Sequence, residues 1–166
     1  MKKSFGILPD GSKASLYTIK GGDLTAEISD LGATVVKLFV PDSKGNLADV
    51  VLGFDDPNDY IKSGTYFGTI VGRNANRVKG AKFLMNGQEV LLPANEGPNC
   101  LHSGADGWSF RLWQVKEHTE SSLTLSMHSP DGDQGFPGNA DVSVTYAIEN
   151  DGLTITYKAV SDKDTA

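Results

Sequence analysis

The amino-acid sequence predicts an all-β protein, an antiparallel β-sandwich, and three observations lead to this class. Apolar residues alternate with polar residues in several separate segments, a period of two that is typical of strands with one buried face. Glycine, proline, asparagine and aspartate punctuate these segments about every ten residues. No segment carries a sustained helical period, which argues against the crossover helices of a parallel sheet. The 166 residues correspond to one domain.

Five alternating rows of apolar residues predict the principal strands in chain order. Each row is bounded by glycine, asparagine, aspartate or proline, so each predicts a strand whose apolar side is buried. The rows are Leu24, Ala26 and Ile28; Thr34, Val36, Leu38 and Val40; Leu123, Leu125 and Met127; Val142, Val144, Tyr146 and Ile148; and Leu153, Ile155, Tyr157 and Ala159.

Two short sequences predict tight hairpin turns, and three longer stretches predict loops. Asn86-Gly87 lies between two apolar runs, and a type I′ turn needs positive φ at both of its central residues. Asn150-Asp151-Gly152 predicts a second hairpin by the same argument. The alternation is interrupted at 55–64, 93–109 and 129–139. Long loops on a rigid β scaffold are where functional sites usually lie.

Composition excludes several classes of function. The net charge is −6 and the basic residues are scattered, so we expect neither nucleic acid nor a membrane surface as a partner. No apolar run approaches the roughly 18 residues that a membrane-spanning helix needs. The single Cys100 excludes an intrachain disulfide, and without a CxxC motif no zinc site is recognisable. These features predict a cytoplasmic protein.

The segment Gly72–Arg77 places two arginines and two asparagines directly after an apolar stretch. Guanidinium and carboxamide groups offer fixed donors that suit hydroxyls or carboxylates, so a small polar ligand is one interpretation. The alternative is that these side chains cap strand ends and satisfy loop carbonyls. Arg73 and Arg77 are four residues apart, and in an extended chain they would share one face. Spacing alone does not choose between the two interpretations.

His102 lies in the longest predicted loop and suits proton transfer, because histidine titrates near neutral pH. A single loop histidine can equally be a surface residue or a hydrogen-bonded structural one. His118 and His128 have no acidic or thiol neighbour at ligand spacing, so no metal site is predicted. Trp113 enters a predicted strand and is assigned to the core. Trp108 is left open between the core and a sugar-stacking face.

An ordered set of motifs resembles the aldose 1-epimerase (galactose mutarotase) family. The resemblance extends from near Phe5 to the end of the chain, with Ser103 where the family usually has a second glycine and Asn74 where it often has an aromatic or aliphatic residue. The motifs are Leu31-Gly32-Ala33-Thr34, the stretch Ala48–Phe54, Tyr66-Phe67-Gly68, Gly72-Arg73 with Ala75-Asn76-Arg77, Asn99 with Leu101-His102-Ser103-Gly104, and Gly135-Phe136-Pro137-Gly138.

The resemblance implies an antiparallel β-sandwich that interconverts the α and β anomers of a galactose- or glucose-class monosaccharide without a metal or organic cofactor. By motif position, Asn76 and Arg77 resemble residues that hold sugar hydroxyls. His102 resembles the catalytic histidine near the ring oxygen, and Arg73 a structural residue. Because no lysine cluster accompanies the arginines, we expect unphosphorylated sugars.

Family sequences continue past the position equivalent to Ala166, through a second histidine that is the usual general acid, an aspartate that binds substrate and a glutamate that acts as base. Residues 1–166 therefore resemble the N-terminal portion of a single mutarotase-like sandwich domain, incomplete for catalysis alone. The expected partner is either the complementary C-terminal half or a second copy of the chain; the alternative is that the 166 residues close a smaller sandwich by themselves. Two alternatives remain: a non-catalytic carbohydrate-binding module or pseudo-enzyme, and a structural half that only pairs with another subunit.

Overall fold

Two antiparallel sheets pack face to face in the computed structural model, which describes residues 1–149 and 151–166. The first sheet has five strands that follow one another in chain order: β1 (Lys2–Ile7), β2 (Lys13–Gly21), β3 (Leu24–Ser29), β4 (Val35–Pro41) and β5 (Leu47–Asp49). One short helix follows, α1 (Pro57–Lys62), and the Asp56 side chain caps it by accepting from the Asn58 N–H.

Two small ribbons connect the first sheet to the second. Strand β6 (Arg77–Val78) pairs with β9 (Cys100–Leu101), and β7 (Lys82–Met85) pairs with β8 (Gln88–Leu91). The second sheet consists of β10 (Gln114–His118), β11 (Ser122–Ser129), β12 (Ala140–Glu149) and β13 (Gly152–Ser161), again in chain order. A 3₁₀ turn occupies Trp108–Phe110, and the short turns at Lys79–Ala81 and Asp133–Gly135 contain the left-handed residues Gly80 and Gln134. The all-β prediction is confirmed.

The main core lies between the two sheets. Ile19, Ala26 and Ile28 of the first sheet meet Leu125 and Tyr146 of the second, all fully buried. The Tyr146 hydroxyl donates to the carbonyl of Ala33, so a polar bond crosses the sandwich. Each Å² of apolar surface that is buried stabilises the fold by about 25 cal/mol. Because this layer buries most of the apolar side chains, it is the main source of stability. Trp113 is buried in it, as the sequence predicted.

Strand β4 departs from its predicted alternation. Ile28 pairs with Val35 while Glu27 pairs with Lys37, so Val36 is an extra residue in a β-bulge. Val36 therefore packs under α1 in a second core, whereas Leu38 contacts the main core. The prediction that Val36 and Leu38 share one face was wrong, because a bulge shifts the side-chain register by one residue.

Strand β13 is present as predicted, but only the first residue of its apolar row reaches the core. Leu153 packs against the main core, whereas Ile155 and Tyr157 are 38% and 65% exposed and Ala159 is exposed as well. Ile155 and Tyr157 pair with Tyr146 and Val144 of β12 and extend the same inner face. The first sheet reaches the second sheet through β2, which packs over β11 and β12. Since β13 lies at the sheet edge beyond them, its inner face is left open to solvent.

Both predicted hairpins lie between paired strands. Asn86 and Gly87 have φ of 52° and 78° and connect β7 to β8, which confirms the type I′ prediction. Strands β12 and β13 pair down to Glu149 and Gly152 around the second turn. In that turn Asp151 has a φ of 59°, while Asn150 lies outside the described residues.

None of the helices in the described ranges combines the length and apolar character needed to cross a bilayer.

Candidate active site

Asn76 and His102 are brought together by the short ribbon β6–β9. Arg77 pairs with Leu101 in this ribbon, so the residue before β6 lies beside the residue after β9. The His102 N–H donates to the Asn76 carbonyl at 3.0 Å, and the Asn76 N–H donates to Nδ1 of the His102 ring at 3.0 Å. Two hydrogen bonds therefore fix the amide-bearing and imidazole-bearing residues against each other, 26 positions apart in the chain.

The backbone at both positions is left-handed. Asn76 has a φ of 62° and His102 a φ of 51°. Asparagine and histidine are among the few non-glycine residues that adopt this region with some frequency. The residue types at these two positions thus suit the turns that bring them together.

The hydrogen bond from Asn76 determines which nitrogen of His102 carries a proton. Nδ1 accepts, so in the neutral ring the proton is on Nε2, which is a donor. The Tyr66 ring packs 4.3 Å from the His102 ring, centroid to centroid. Burial lowers the pKa of His102, and the positive charge of Arg77 lowers it further. His102 is therefore a neutral imidazole with an Nε2–H donor at neutral pH.

This arrangement predicts a pH-dependent component of stability. The ordinary histidine pKa is 6.5 and the folded value lies below it. As pH falls below 6.5, the unfolded chain takes up the proton first, so stability falls until the pH is below the folded pKa. His102→Asn is expected to remove this component, because the asparagine side chain does not titrate. Asparagine is chosen because it tolerates the positive φ at this position. Urea midpoints between about pH 8 and pH 5 measure it.

His128→Asn is the matched control, because the side chain of His128 is 56% exposed on a strand face. The control should retain the acid-side loss of stability. Parallel pH curves for wild type and the His102 variant would contradict the neutral-imidazole assignment.

The Arg77 guanidinium is half exposed and pairs with Glu96. Nε lies 2.9 Å from both carboxylate oxygens, and Nη2 lies 2.5 Å from Oε1. Nη1 donates to Oδ1 of Asn76 at 3.3 Å. Hydrogen bonding to Arg77 holds the pKa of Glu96 below its usual range. Arg77 is thus in the same cluster as Asn76 and His102, with a carboxylate that the sequence did not single out.

Arg73 points to a different part of the molecule. Its guanidinium binds the loop that follows β11 and the C-terminal residues, so for Arg73 the structural interpretation of the arginine segment holds. Its acceptors are the Ser129 hydroxyl and carbonyl, the carbonyls of Pro130, Pro137 and Gly138, and the Thr165 hydroxyl, at 2.7–3.0 Å. The expectation that Arg73 and Arg77 share a face was wrong, because the chain between them is not extended: it bends at residues 73, 74 and 76, and Asn76 is left-handed.

The two departures from the family motifs contact each other. Ser103 has a φ of 67°, a conformation that glycine adopts most easily. Its hydroxyl accepts from the Asn74 N–H at 2.7 Å and donates to the Asn74 carbonyl at 3.0 Å. The buried serine therefore holds the backbone of the arginine segment, and because both bonds go to main-chain atoms, the side chain at 74 does not enter them.

The aromatic residues near the site divide between core and site. Trp108 packs against the main core, and its ring centroid lies 6.2 Å from that of Trp113. Trp108 therefore belongs to the core rather than to a sugar-stacking face. Phe110 lies 5.6 Å from Tyr66, which in turn covers His102. Tyr66 belongs to the Tyr66-Phe67-Gly68 motif, which by itself indicates no contact with the histidine. Its contact with His102 has no signal in the sequence, because 36 residues separate the two.

The structure supplies a partner for His128 that sequence spacing did not reveal. His128 and Asp141 are directly paired across β11 and β12, with Nδ1 2.7 Å from Oδ1. Both side chains are mostly exposed. Among residues 1–149 and 151–166, no group of three or more histidine, cysteine, aspartate or glutamate side chains is arranged to hold a metal ion.

The fold and site define the class of this chain. It is an antiparallel β-sandwich protein whose candidate site is a cluster of amide, guanidinium and imidazole groups at the ends of short loop strands. A sequence model described as aldose 1-epimerase matches residues 15–166. The chain therefore belongs to the aldose 1-epimerase family.

Relatives from animals and bacteria show the same affiliation. The chain is 37% identical to a galactose mutarotase of Rattus norvegicus over 162 residues, which is 97% of this chain and 47% of that protein. It is 41% identical to an aldose 1-epimerase of Haemophilus influenzae over 160 residues, 95% of this chain and 46% of that one. The chain thus spans about half the length of the curated relatives it matches.

Solved structures agree with the fold. An aldose epimerase homologue from C. elegans superimposes with a TM-score of 0.86 and 34% identity, covering 92% of this chain and 47% of that one. A galactose 1-epimerase from Lactobacillus acidophilus gives a TM-score of 0.83 and 26% identity, covering 99% and 49%. The mutarotase-like fold that the motifs implied is confirmed.

Proposed function

We propose that this chain forms part of an aldose 1-epimerase site that interconverts the α and β anomers of a galactose- or glucose-class sugar. Membership of the family supports this activity, since relatives in it are called galactose mutarotase and aldose 1-epimerase. The observation that carries the proposal is the reciprocal bonding of Asn76 and His102, which gathers Asn76, Arg77 and His102 into one cluster.

Each group has a role in ring opening that follows from its chemistry. Anomers interconvert when a base removes the proton of the anomeric hydroxyl and an acid donates to the ring oxygen, after which the aldehyde rotates and recloses. The Nε2–H of His102 is a hydrogen-bond donor toward the ring oxygen, where negative charge develops, while the proton itself comes from the second histidine of the family. The amide of Asn76 and the free N–H groups of Arg77 hold hydroxyls. Neither role requires a metal or cofactor.

The base of the reaction is proposed to come from outside this cluster. Glu96 is the carboxylate beside it, and its ion pair with Arg77 lowers its pKa and so weakens it as a base. We propose that the base and the second histidine come from the other half of the family's sandwich, which this chain does not span, or from a second copy of this chain. The open inner face of β13, with Ile155 and Tyr157, offers strand and apolar surface for such a partner.

The state of Glu96 also favours a second candidate function. A cluster that holds hydroxyls but has its adjacent carboxylate tied to an arginine can bind sugar without turning it over. In that case the chain is a carbohydrate-binding module or pseudo-enzyme. Binding without mutarotation would distinguish this function from the first.

Replacing Arg77 tests the sugar site itself. Arg77→Ala is expected to weaken binding of galactose or glucose at least about tenfold, because it removes donors that hold hydroxyls. Titration calorimetry of wild type and variant measures the change.

Lys82→Ala is the matched control: this exposed cation is paired with Glu89, and its removal should leave binding unchanged. A wild-type protein that gives no heat with any aldose would contradict sugar binding by this chain. Equal affinities for wild type and the Arg77 variant would contradict the role of Arg77.

A further inference from the structure

The carboxylate of Glu96 holds one edge of the Arg77 guanidinium. Nε and Nη2 both donate to Glu96, in the side-on geometry that makes an arginine–carboxylate pair directional. Exposed ion pairs generally contribute little to stability, and two-point pairs are the exception in fixing geometry. The value of this pair therefore lies in orientation rather than in holding the fold together.

Glu96 lies in a short turn that is bonded to the ribbon carrying the site. Its N–H donates to the Asn99 carbonyl at 3.1 Å, and the Asn99 N–H donates back at 3.0 Å. The neighbouring Asn95 side chain makes two further bonds to the backbone of Leu101, at 2.7 and 3.0 Å. Leu101 pairs with Arg77 and precedes His102. The turn that bears Glu96 is thus tied to the same ribbon as the candidate site.

The pairing leaves a defined set of donors for a ligand. Arginine has five N–H groups. One on Nε and one on Nη2 go to Glu96, and one on Nη1 goes to Oδ1 of Asn76. Among the described residues, no acceptor takes the two remaining hydrogens, one on each Nη. Two adjacent donors of this kind suit neighbouring oxygens of one sugar.

The pairing also cancels charge at the site. Arg77 carries one positive charge and Glu96 one negative charge at 2.5 Å, while His102 is neutral at neutral pH. An anionic ligand that approached Arg77 would meet the Glu96 carboxylate as well. Repulsion by a fixed like charge is a common means of rejecting the wrong ligand.

We propose that Glu96 is a positioning and specificity-determining residue: it aims the free N–H groups of Arg77 at the ligand and makes the site select neutral aldoses over anionic sugars. This inference rests on the proposed sugar-binding function. It assigns Glu96 an indirect role, through Arg77, and no contact with the reacting atoms.

Glu96→Gln keeps the shape of the side chain and removes its charge, which makes it the direct test. Titration of the 166-residue protein with galactose and with galacturonate is expected to show weaker galactose binding. We expect the affinity ratio to shift about tenfold toward galacturonate, because a like charge near the ligand is lost. Glu89→Gln is the control, since Glu89 forms an exposed pair with Lys82 on the β7–β8 ribbon. It should leave the ratio unchanged.

The Arg77 Nε–H signal in nitrogen–proton correlation spectra gives a readout that needs no sugar. It should be shifted and protected from exchange in wild type and in Glu89→Gln, and should lose both properties in Glu96→Gln. An unchanged signal would overturn the positioning role. An unchanged affinity ratio, or tighter galactose binding by the variant, would overturn the specificity role. Wild-type protein that binds neither sugar would instead overturn the proposed function, while the Nε–H signal still decides positioning.

Discussion

Polarimetry of freshly dissolved α-galactose is expected to show that the 166-residue chain accelerates mutarotation at least about 100-fold less, per molecule, than a family-length aldose 1-epimerase assayed beside it. General acid–base catalysis is typically worth about 10²–10⁴-fold. In this chain the Nδ1 atom of His102 is already an acceptor for the Asn76 N–H, so the ring offers only its Nε2–H. Glu96 is held by Arg77 and has a lowered pKa. The cluster therefore supplies donors but no effective base.

Two controls make this expectation decisive. The spontaneous rate in buffer sets the baseline, and His102→Asn should abolish whatever acceleration the wild-type chain retains. Addition of a complementary segment that carries the base should raise the rate, and this would support the proposed partner. Full family-like turnover by a chain whose intact mass and monomeric state have been verified would contradict the argument that the base is missing.

The sequence predicted those parts of the fold that depend on neighbours along the chain. The Asn86-Gly87 turn is one, because its positive φ angles are a property of two residues. The buried rows of β11 and β12 are another, since alternation is set by the strand itself. Burial of Tyr157 was predicted wrongly because it depends on what packs over β13, which no local pattern records. The bulge at Val36 is a similar case, because a register shift needs knowledge of the partner strand.

The candidate site was only partly predictable for the same reason. The family motifs named Asn76, Arg77 and His102, whose functional roles remain predictions. Spacing could not show that Asn76 and His102 are bonded to each other, since this depends on the pairing of β6 with β9. It also could not separate the two arginines of one motif, because the chain bends at residues 73, 74 and 76, and Asn76 has a φ of 62°. The positions of the site residues thus depend on the long-range pairing of strands. The motif indicated only which chemical groups the site contains.

Replacement of Arg73 is expected to have the largest effect on stability among the polar residues of this region. Arg73→Met should lower the free energy of unfolding by about 2–3 kcal/mol, because it leaves loop carbonyls without the charged donor that satisfies them. The guanidinium contacts four carbonyls and two hydroxyls, and it ties the loop after β11 to the C-terminal Thr165. Chemical denaturation monitored by tryptophan fluorescence measures the change.

The comparison with Arg77 separates structure from function within a single motif. Arg77→Met removes an exposed side chain and should leave the denaturation midpoint nearly unchanged while sugar binding is lost. Arg73→Lys should fall between wild type and Arg73→Met, because one ammonium group cannot reach all the acceptors of a guanidinium fork. If Arg73→Met and Arg77→Met were equally stable, the loop-holding role of Arg73 would be wrong. If Arg73→Met remained folded but lost sugar binding as Arg77→Met does, the two arginines would act on the ligand together.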